Sequence, residues 1–422
     1  MHGVSISEER NMLRKVMMAL CMLVSAGCAV NEVQPTPLVT EQAETENTPE
    51  TVIGTEAAED MVIPVKEFTQ ESLPVLLEGN GNKVVSPLNI WLALGMLSET
   101  AEGSTRAELT RLLHTEDTVE AVKALRAVHN RESEDGTEVN GAAIWLSDAY
   151  MYDRDVLQRL QDPYTKIADV TMGRPETDKQ IRDWVNELTR GMLEESTESI
   201  QTEQLTVMEL LTTLYYKSFW LDRFNEDKTY DSVFHGTDGD MDVRMMYREG
   251  SREIYSGEKW QAISLYTADR GVMWLVLPEE GVDPAELAGD AQLQHLMDEP
   301  YTYENSEYVI VKASVPKFRV QCDTDLKEIL PKLGVQEAFD PQKASFILTD
   351  DTQLYLSSAK HAAVLEIDED GVCGAAYTEL GLAGAGMPPQ IVREFVLDRP
   401  FFFAMTAGDG TILFAGTVRN VE

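Results

Sequence analysis

Asp368-Glu369-Asp370-Gly371-Val372-Cys373-Gly374-Ala375-Ala376-Tyr377-Thr378-Glu379-Leu380-Gly381-Leu382-Ala383-Gly384-Ala385-Gly386-Met387-Pro388-Pro389 carries two opposed patterns. Its density of Gly and Ala describes a flexible surface loop, and a loop this long inside a compact domain is usually functional. Every second residue from Val372 is nevertheless small or apolar: Val372, Gly374, Ala376, Thr378, Leu380 and Leu382. The intervening set, Cys373, Ala375, Tyr377, Glu379, Gly381 and Ala383, holds the charge and the phenol. Strand side chains alternate between faces, so the segment fits a strand with one buried face, small enough to slide between two others. An apolar strand, Val364-Leu365-Glu366-Ile367, precedes it, and a second strand is predicted near residues 395–397. The chemistry is that of a strand held as a loop.

Working outward, the first half of the chain is helical in pattern. Ser86-Pro87 is a helix start, with Ser to cap free N–H groups and Pro at the first helical position. The apolar run over residues 88–97 predicts a helix buried on most sides. Thr105-Arg106-Ala107-Glu108 has capping-box spacing before Leu109, Leu112 and Leu113. A third helix is expected from about Thr177, with Ile181, Trp184, Val185 and Leu188 on one face. The second half is dominated by strands. Residues 262–266 and 272–277 flank a turn with Asp269-Arg270-Gly271, and residues 401–406 and 412–418 flank Gly408-Asp409-Gly410, which predicts two hairpins. Helices early and antiparallel strands late give an α+β class rather than alternating βαβ units.

The bulk numbers exclude several functions. The chain has 422 residues, 43% of them hydrophobic, and a net charge of −38. Such a surface repels nucleic acid and anionic membranes, so neither is an expected partner. No Gly-x-Ser-x-Gly elbow, zinc-binding His-Glu-x-x-His helix or phosphate-binding Gly-rich Lys loop is present. The six histidines, His2, His114, His129, His235, His295 and His361, lie at no metal-ligand spacing from one another. No metal, cofactor or catalytic residue is therefore assigned. Four cysteines are too few for a disulfide framework, and a Cys322–Cys373 bridge is undecided without geometry.

The N-terminus has the pattern of an exported protein. Arg14 and Lys15 precede an apolar run over residues 16–24, then Ser25-Ala26-Gly27-Cys28. Small residues ending in Cys resemble the bacterial lipobox, which implies lipidation of Cys28 after removal of residues 1–27. Ser25 departs from the usual branched aliphatic residue, and Met12 is an alternative start. An ordinary signal peptide with an incidental Cys is the rival reading. From Ala29 to about Asp60 the chain is rich in Glu, Thr and Pro without Lys or Arg, too polar to bury a core, so residues 28–61 are expected to be a disordered acidic linker. Residues 62–422 show no composition break and no repeat, which predicts one folded domain. An anchor plus a stalk places it outside the cell, attached to the membrane only through the N-terminal lipid.

Motifs along that domain then accumulate in order. Val85-Ser86-Pro87-Leu88-Asn89-Ile90, Ala93-Leu94-Gly95-Met96-Leu97 and Ala101-Glu102-Gly103-Ser104-Thr105 resemble the N-terminal signature of the serpins. Ile181-Arg182-Asp183-Trp184-Val185-Asn186 is similar to the serpin helix that crosses the main sheet, and Leu214-Tyr215-Tyr216-Lys217 with Trp220 and Phe224 to the segment leading into its upper opening. Met245-Met246, Leu275-Val276-Leu277-Pro278, Val315-Pro316-Lys317-Phe318, Leu333-Gly334, His361-Ala362-Ala363 and Arg399-Pro400-Phe401-Phe402-Phe403 follow in family order. Asn89 and Thr212 stand where the family usually has Ser and Asn, which implies altered stability more than altered function.

The resemblance implies a serpin fold: helices around a large, mostly antiparallel central sheet, further sheets, and an exposed reactive-centre loop. It also implies a monomer that inhibits a serine protease, or a cysteine protease, without being an enzyme. Glu369-Asp370-Gly371 resembles the hinge, with Gly371 expected to take dihedrals other residues avoid. Family spacing puts the cleaved bond at Ala385-Gly386, within about two residues. After cleavage, the segment from Val372, including Gly374, Ala375, Ala376 and Thr378, would enter the central sheet past Ser86, Asn89, Thr212, Trp220 and His361, which stand in the region controlling sheet opening. Fourteen residues as a strand would carry an attached protease roughly 46 Å. Val372 stands where Thr is common and, being apolar and β-branched, suits burial. Tyr377 is larger than usual, but its parity places it on the outward face. The small residues around the bond imply an elastase-like or subtilisin-like target, while Leu380 or Leu382 in a shifted register would admit chymotrypsin-like enzymes. A non-inhibitory serpin acting as a surface binding module and an unrelated structural lipoprotein are the rival classes.

Overall fold

The computed structural model describes residues 55–349, 352–372 and 391–421, with side chains from Met61 onward. Its first helix, α1 (Thr55–Leu76), begins inside the stretch assigned above to the linker and takes in its last residues. Then come α2 (Pro87–Ser98), α3 (Gly103–Leu113), α4 (Thr118–Val128), α5 (Arg154–Leu160) and α6 (Pro175–Leu188). Strands β1 (Lys83–Val85), β2 (Arg131–Glu132), β3 (Gly136–Ser147), β4 (Thr165–Val170) and β5 (Met208–Phe219) are interleaved with these helices. The rest is mainly β: β6 (Tyr230–Gly236), β7 (Gly239–Ser256), β8 (Trp260–Tyr266), β9 (Val272–Pro278), β10 (Ser306–Pro316), β11 (Phe318–Asp325), β12 (Lys360–Ile367), β13 (Gly371–Val372), β14 (Val392–Val396), β15 (Phe401–Thr406) and β16 (Ile412–Val418).

These strands make two sheets. One runs β1-β16-β15-β9-β8-β7-β10-β14, with β6 also on β7. The other, the main sheet, runs β11-β12-β13-β5-β3-β2, with β4 on β3. Pairings are antiparallel except β10 with β14 and β3 with β4. The α+β class and both hairpins stand as the sequence predicts, β8–β9 and β15–β16 included.

The Ser86 reading also holds: its Oγ accepts from the Asn89 N–H and Pro87 opens α2. The capping box does not. Helix α3 starts three residues earlier, at Gly103, and its N-cap Glu102 makes no side-chain cap bond. Thr105 Oγ1 instead accepts from the Ser345 N–H, and the Glu108 carboxylate accepts from the Gln336 and Glu337 N–H groups. Both residues of the motif serve the 336–345 segment, because tertiary donors compete for the same lone pairs that a local cap would use.

The main sheet is covered on both faces. Ala142, Ile144 and Leu146 of β3 join the large core, while Ala143 and Trp145 pack under Ile181 and Trp184 of α6. This double burial explains why β3 shows no clean polar alternation. Helix α6 crosses closely enough that a Cβ on Gly141 would lie 2.4 Å from Leu188 Cδ1.

Candidate functional site

The chain leaves β12 at Ile367, turns through Asp368-Glu369-Asp370 and comes straight back as β13. Asp368 nucleates the turn: its Oδ1 accepts from the N–H groups of Asp370 and Gly371 at 2.9 and 3.1 Å, and its own N–H donates to the Gly371 carbonyl. The segment after β5 then clasps the turn. The Trp220 indole donates to the Asp368 carbonyl (2.8 Å), the Trp220 N–H to the Asp370 carbonyl (2.9 Å) and the Phe224 N–H to the Glu369 carbonyl (3.2 Å). Arg223 Nη1 lies 2.7 Å from Asp370 Oδ1. Glu369, 8% exposed, receives the Thr229 hydroxyl on one oxygen and Lys317 Nζ on the other, each at 2.7 Å. Burial raises the pKa of this carboxyl, but those two bonds more than offset it and hold it below 4.5.

Strand β13 is a wedge. Val372 pairs with Ile367 of β12 on one side and Ser218 of β5 on the other, and Gly371 pairs with Phe219. At this height β5 and β12 stand two strand spacings apart, about 9.5 Å. Among the described residues no ladder joins β5 to β12 directly. Val372 is 2% exposed and packs in the main core beside Ile367, as a β-branched apolar residue should. Gly371 departs from expectation. Its φ is not in the left-handed region, and glycine is needed for proximity instead. A Cβ there would sit 2.2 Å from the Ser218 carbonyl oxygen and 2.8 Å from Phe219 Cα, both backbone atoms of β5.

Below the wedge a pocket lies between the facing strands, lined by Leu214, Tyr215 and Tyr216 of β5 and by residues 362–366 of β12. Thr189, Met192 and Leu193, which follow α6, close one face; Ser86, Asn89 and Phe414 close the other. The face read as outward at this height is therefore covered by the chain after α6.

Thr212 lies six residues from Ser218 and His361 six from Ile367, so the two stand level, about 20 Å from the wedge. There the N-terminus of α2 ties both strands. His361 Nε2 accepts from the Ser86 N–H at 2.9 Å. Asn89 Nδ2 donates to the Thr212 carbonyl (3.3 Å), and Thr212 Oγ1 donates to the Asn89 carbonyl (3.2 Å). His361 is 6% exposed, and burial lowers its pKa to about 4, so the ring is neutral with its proton on Nδ1. The structure thus brings Ser86, Asn89, Thr212 and His361 together and places Trp220 apart from them, at the turn formed by Asp368, Glu369 and Asp370.

Thr229, Lys317 and Arg223 were missed by sequence reasoning. Lys317 was noted only within a motif, and nothing local marks a partner 52 residues away. Cys373, Gly374, Ala375, Ala376, Thr378, Ala385, Gly386 and the lipidation candidate Cys28 lie outside the described residues. Among the described residues Cys322 has no disulfide partner; its Sγ lies 3.7 Å from Thr324 Oγ1.

Several known proteins are similar to this chain. The family described as serpin (serine protease inhibitor) matches residues 65–421. An uncharacterized serpin-like protein of Thermococcus kodakarensis is 28% identical over 379 residues, covering 85% of each chain. The leukocyte elastase inhibitor of Sus scrofa is 28% identical over 376 residues, covering 84% of this chain and 97% of its own. The native-state crystal structure of tengpin, a thermophilic serpin, superposes with a TM-score of 0.74 at 23% identity, over 90% of this chain and 96% of that one. Because the family match spans nearly all of the described residues, this chain belongs to the serpin family.

Proposed function

We propose that this serpin is a suicide inhibitor of extracellular serine proteases of the elastase or subtilisin type, with Ala385-Gly386 as the attacked bond. The observation that carries this reading is β13: Val372 already pairs with both β5 and β12, and Gly371 with β5. A strand that begins between two others has its next partners in register below it. The name of the related leukocyte elastase inhibitor agrees with a small residue at the cleaved bond.

In this mechanism the protease serine Oγ bonds to the Ala385 carbonyl carbon, the Ala385–Gly386 C–N bond breaks, and the Gly386 amine leaves with a proton. The ester keeps the protease attached while the segment from Gly374 extends β13 downward, a form of strand addition for which serpin loop insertion is well known. Displacing catalytic atoms by ~1 Å slows a reaction on the order of 100-fold, which is enough to strand the ester. The uncut state is held by a kinetic barrier rather than by lower free energy. A cysteine protease would leave a thioester at the same carbon.

The molecule acts as a monomer outside the cell, held to a bacterial envelope by lipid on Cys28 through the acidic linker. Incubation with an elastase followed by denaturing electrophoresis tests the central claim. A stable complex with the carboxyl of Ala385 on the enzyme is expected. Cleavage in the loop with no complex, for every small-residue protease tried, would instead identify a non-inhibitory serpin that serves as a surface binding protein.

A further inference from the structure

On β7, Arg248, Gly250 and Arg252 share one face, opposite the buried Ala313, Val311 and Val309 of β10. The Arg252 side chain runs back along its own strand toward Arg248, so that its Nη2 lies 3.8 Å from where a Cβ on Gly250 would be. A side chain at 250 would compete for that space. The two guanidinium groups are close enough that Arg252, after burial, is what lowers the pKa of Arg248.

Their compensation is unequal. Arg248, whose side chain is 11% exposed, donates to the Asp222 carbonyl, is ion-paired with the Asp222 carboxylate and lies 5.5 Å from the Phe224 ring centroid. Arg252 has no hydrogen-bond, ion-pair or ring partner among the described residues, and its Nε is sealed from solvent. The nearby acids are engaged elsewhere. Glu249 and Glu253 alternate to the opposite face, where Tyr247 and Tyr255 donate to them, and Glu307 of β10 pairs with Arg393 of β14 at 3.1 Å. A chain with 73 acidic residues against 35 basic ones has thus placed two cations side by side with one carboxylate between them.

We propose that Arg252, with Arg248 beside it, binds a small multivalent oxyanion of the phosphate type on this face of β7. Arg252 is half-buried, with only its Nε sealed and its terminal nitrogens open to solvent, and a bidentate oxyanion meets the planar fork of such a guanidinium with two parallel charge-assisted bonds. The low exposure of Arg248 favours a small free ion over a macromolecular phosphate. Arg248 also reaches Asp222, in the segment that clasps the hinge, so an ion here would steady that clasp.

The test is thermal unfolding of the uncut protein with inorganic phosphate from 0 to tens of millimolar, at constant ionic strength set with chloride. A saturable rise in Tm is expected, unlike the unsaturating rise from excluded salts. In Arg252→Gln, which removes the charge and keeps a donor, the midpoint should move at least about tenfold higher in phosphate, and in Arg252→Met, which removes charge and donors together, the saturable rise should vanish. Arg244→Gln, at an exposed arginine paired with Asp231, should leave it intact. Calorimetric titration of the wild type with phosphate gives a second readout independent of variant folding. No saturable response in the wild type, or an undiminished one in Arg252→Gln, overturns the proposal.

Discussion

Lys317, the residue between β10 and β11, places its Nζ 2.7 Å from Oε2 of Glu369 in the hinge turn. The pair joins the strand leading into β11, at one edge of the main sheet, to the turn that starts the wedge near its middle. Glu369→Gln keeps the shape and removes the charge, and should cost about 1 kcal/mol, since Lys317 is 42% exposed and water screens that end. The sign with pH follows from a depressed carboxyl. The contribution is present above 4.5 and fades as pH falls through the lower folded value. Unfolding of wild type and variant at several pH values checks this: their difference should be full at pH 6 and shrink as pH falls below 4.5.

Gly371 is fixed by the backbone of β5 rather than by its own dihedrals. Gly371→Ala would force a Cβ to within 2.2 Å of the Ser218 oxygen, and neither strand can yield without breaking its ladder. Such overpacking costs about 1–3 kcal/mol. The variant should expel β13, which hydrogen exchange at the Gly371 and Val372 amides would report as lost protection. Unchanged protection would mean that the strands part more easily than the contact distances imply.

How much of this was written in the chain differs by element. Strand β12 and the β15–β16 hairpin were legible because an apolar run or a Gly-Asp-Gly turn fixes them locally. Of the alternation from Val372 only Val372 itself lies among the described residues, where it is buried. Thr105 and Glu108 misled, since the same oxygens serve either a helix start or a distant segment, and only the fold decides between them. The clasp on Glu369 was invisible: Thr229 is 140 residues away and Lys317 is 52, and a threonine or lysine carries no mark of its partner. Gly371 was identified correctly as a glycine position, but for the wrong reason, because the atoms that exclude a Cβ belong to β5.

Val372 decides whether the wedge tolerates the core. Val372→Arg puts an unpaired charge at a position 2% exposed, beside Ile367, at a cost of several kcal/mol. Val372→Thr keeps the branch and should cost about 1 kcal/mol. In the Arg variant, protein nicked near residue 385 should melt no higher than intact protein, whereas the Thr variant should keep a large rise. Equal rises in both would remove Val372 from control of insertion.

His361 supplies a second, separate pH dependence at the far end of the pocket. Its Nε2 must stay unprotonated to accept from Ser86, and burial lowers the folded pKa to about 4 against 6.5 for a free imidazole. Between those values the unfolded chain binds a proton that the folded protein refuses, so stability falls as pH drops from 6.5 toward 4 and levels off below. The full swing is on the order of 3 kcal/mol. His361→Gln retains an acceptor and cannot titrate, so its stability relative to wild type should rise as pH falls from 6.5 to 4, whatever slope the half-buried Glu209, with its pKa raised to about 7, adds to both. Its window sits above the one set by Glu369, so a double variant with Glu369→Gln should lose both slopes additively, the two residues being far apart. A stability difference between wild type and His361→Gln that does not change between pH 6.5 and 5 would show that the ring is not held neutral by burial.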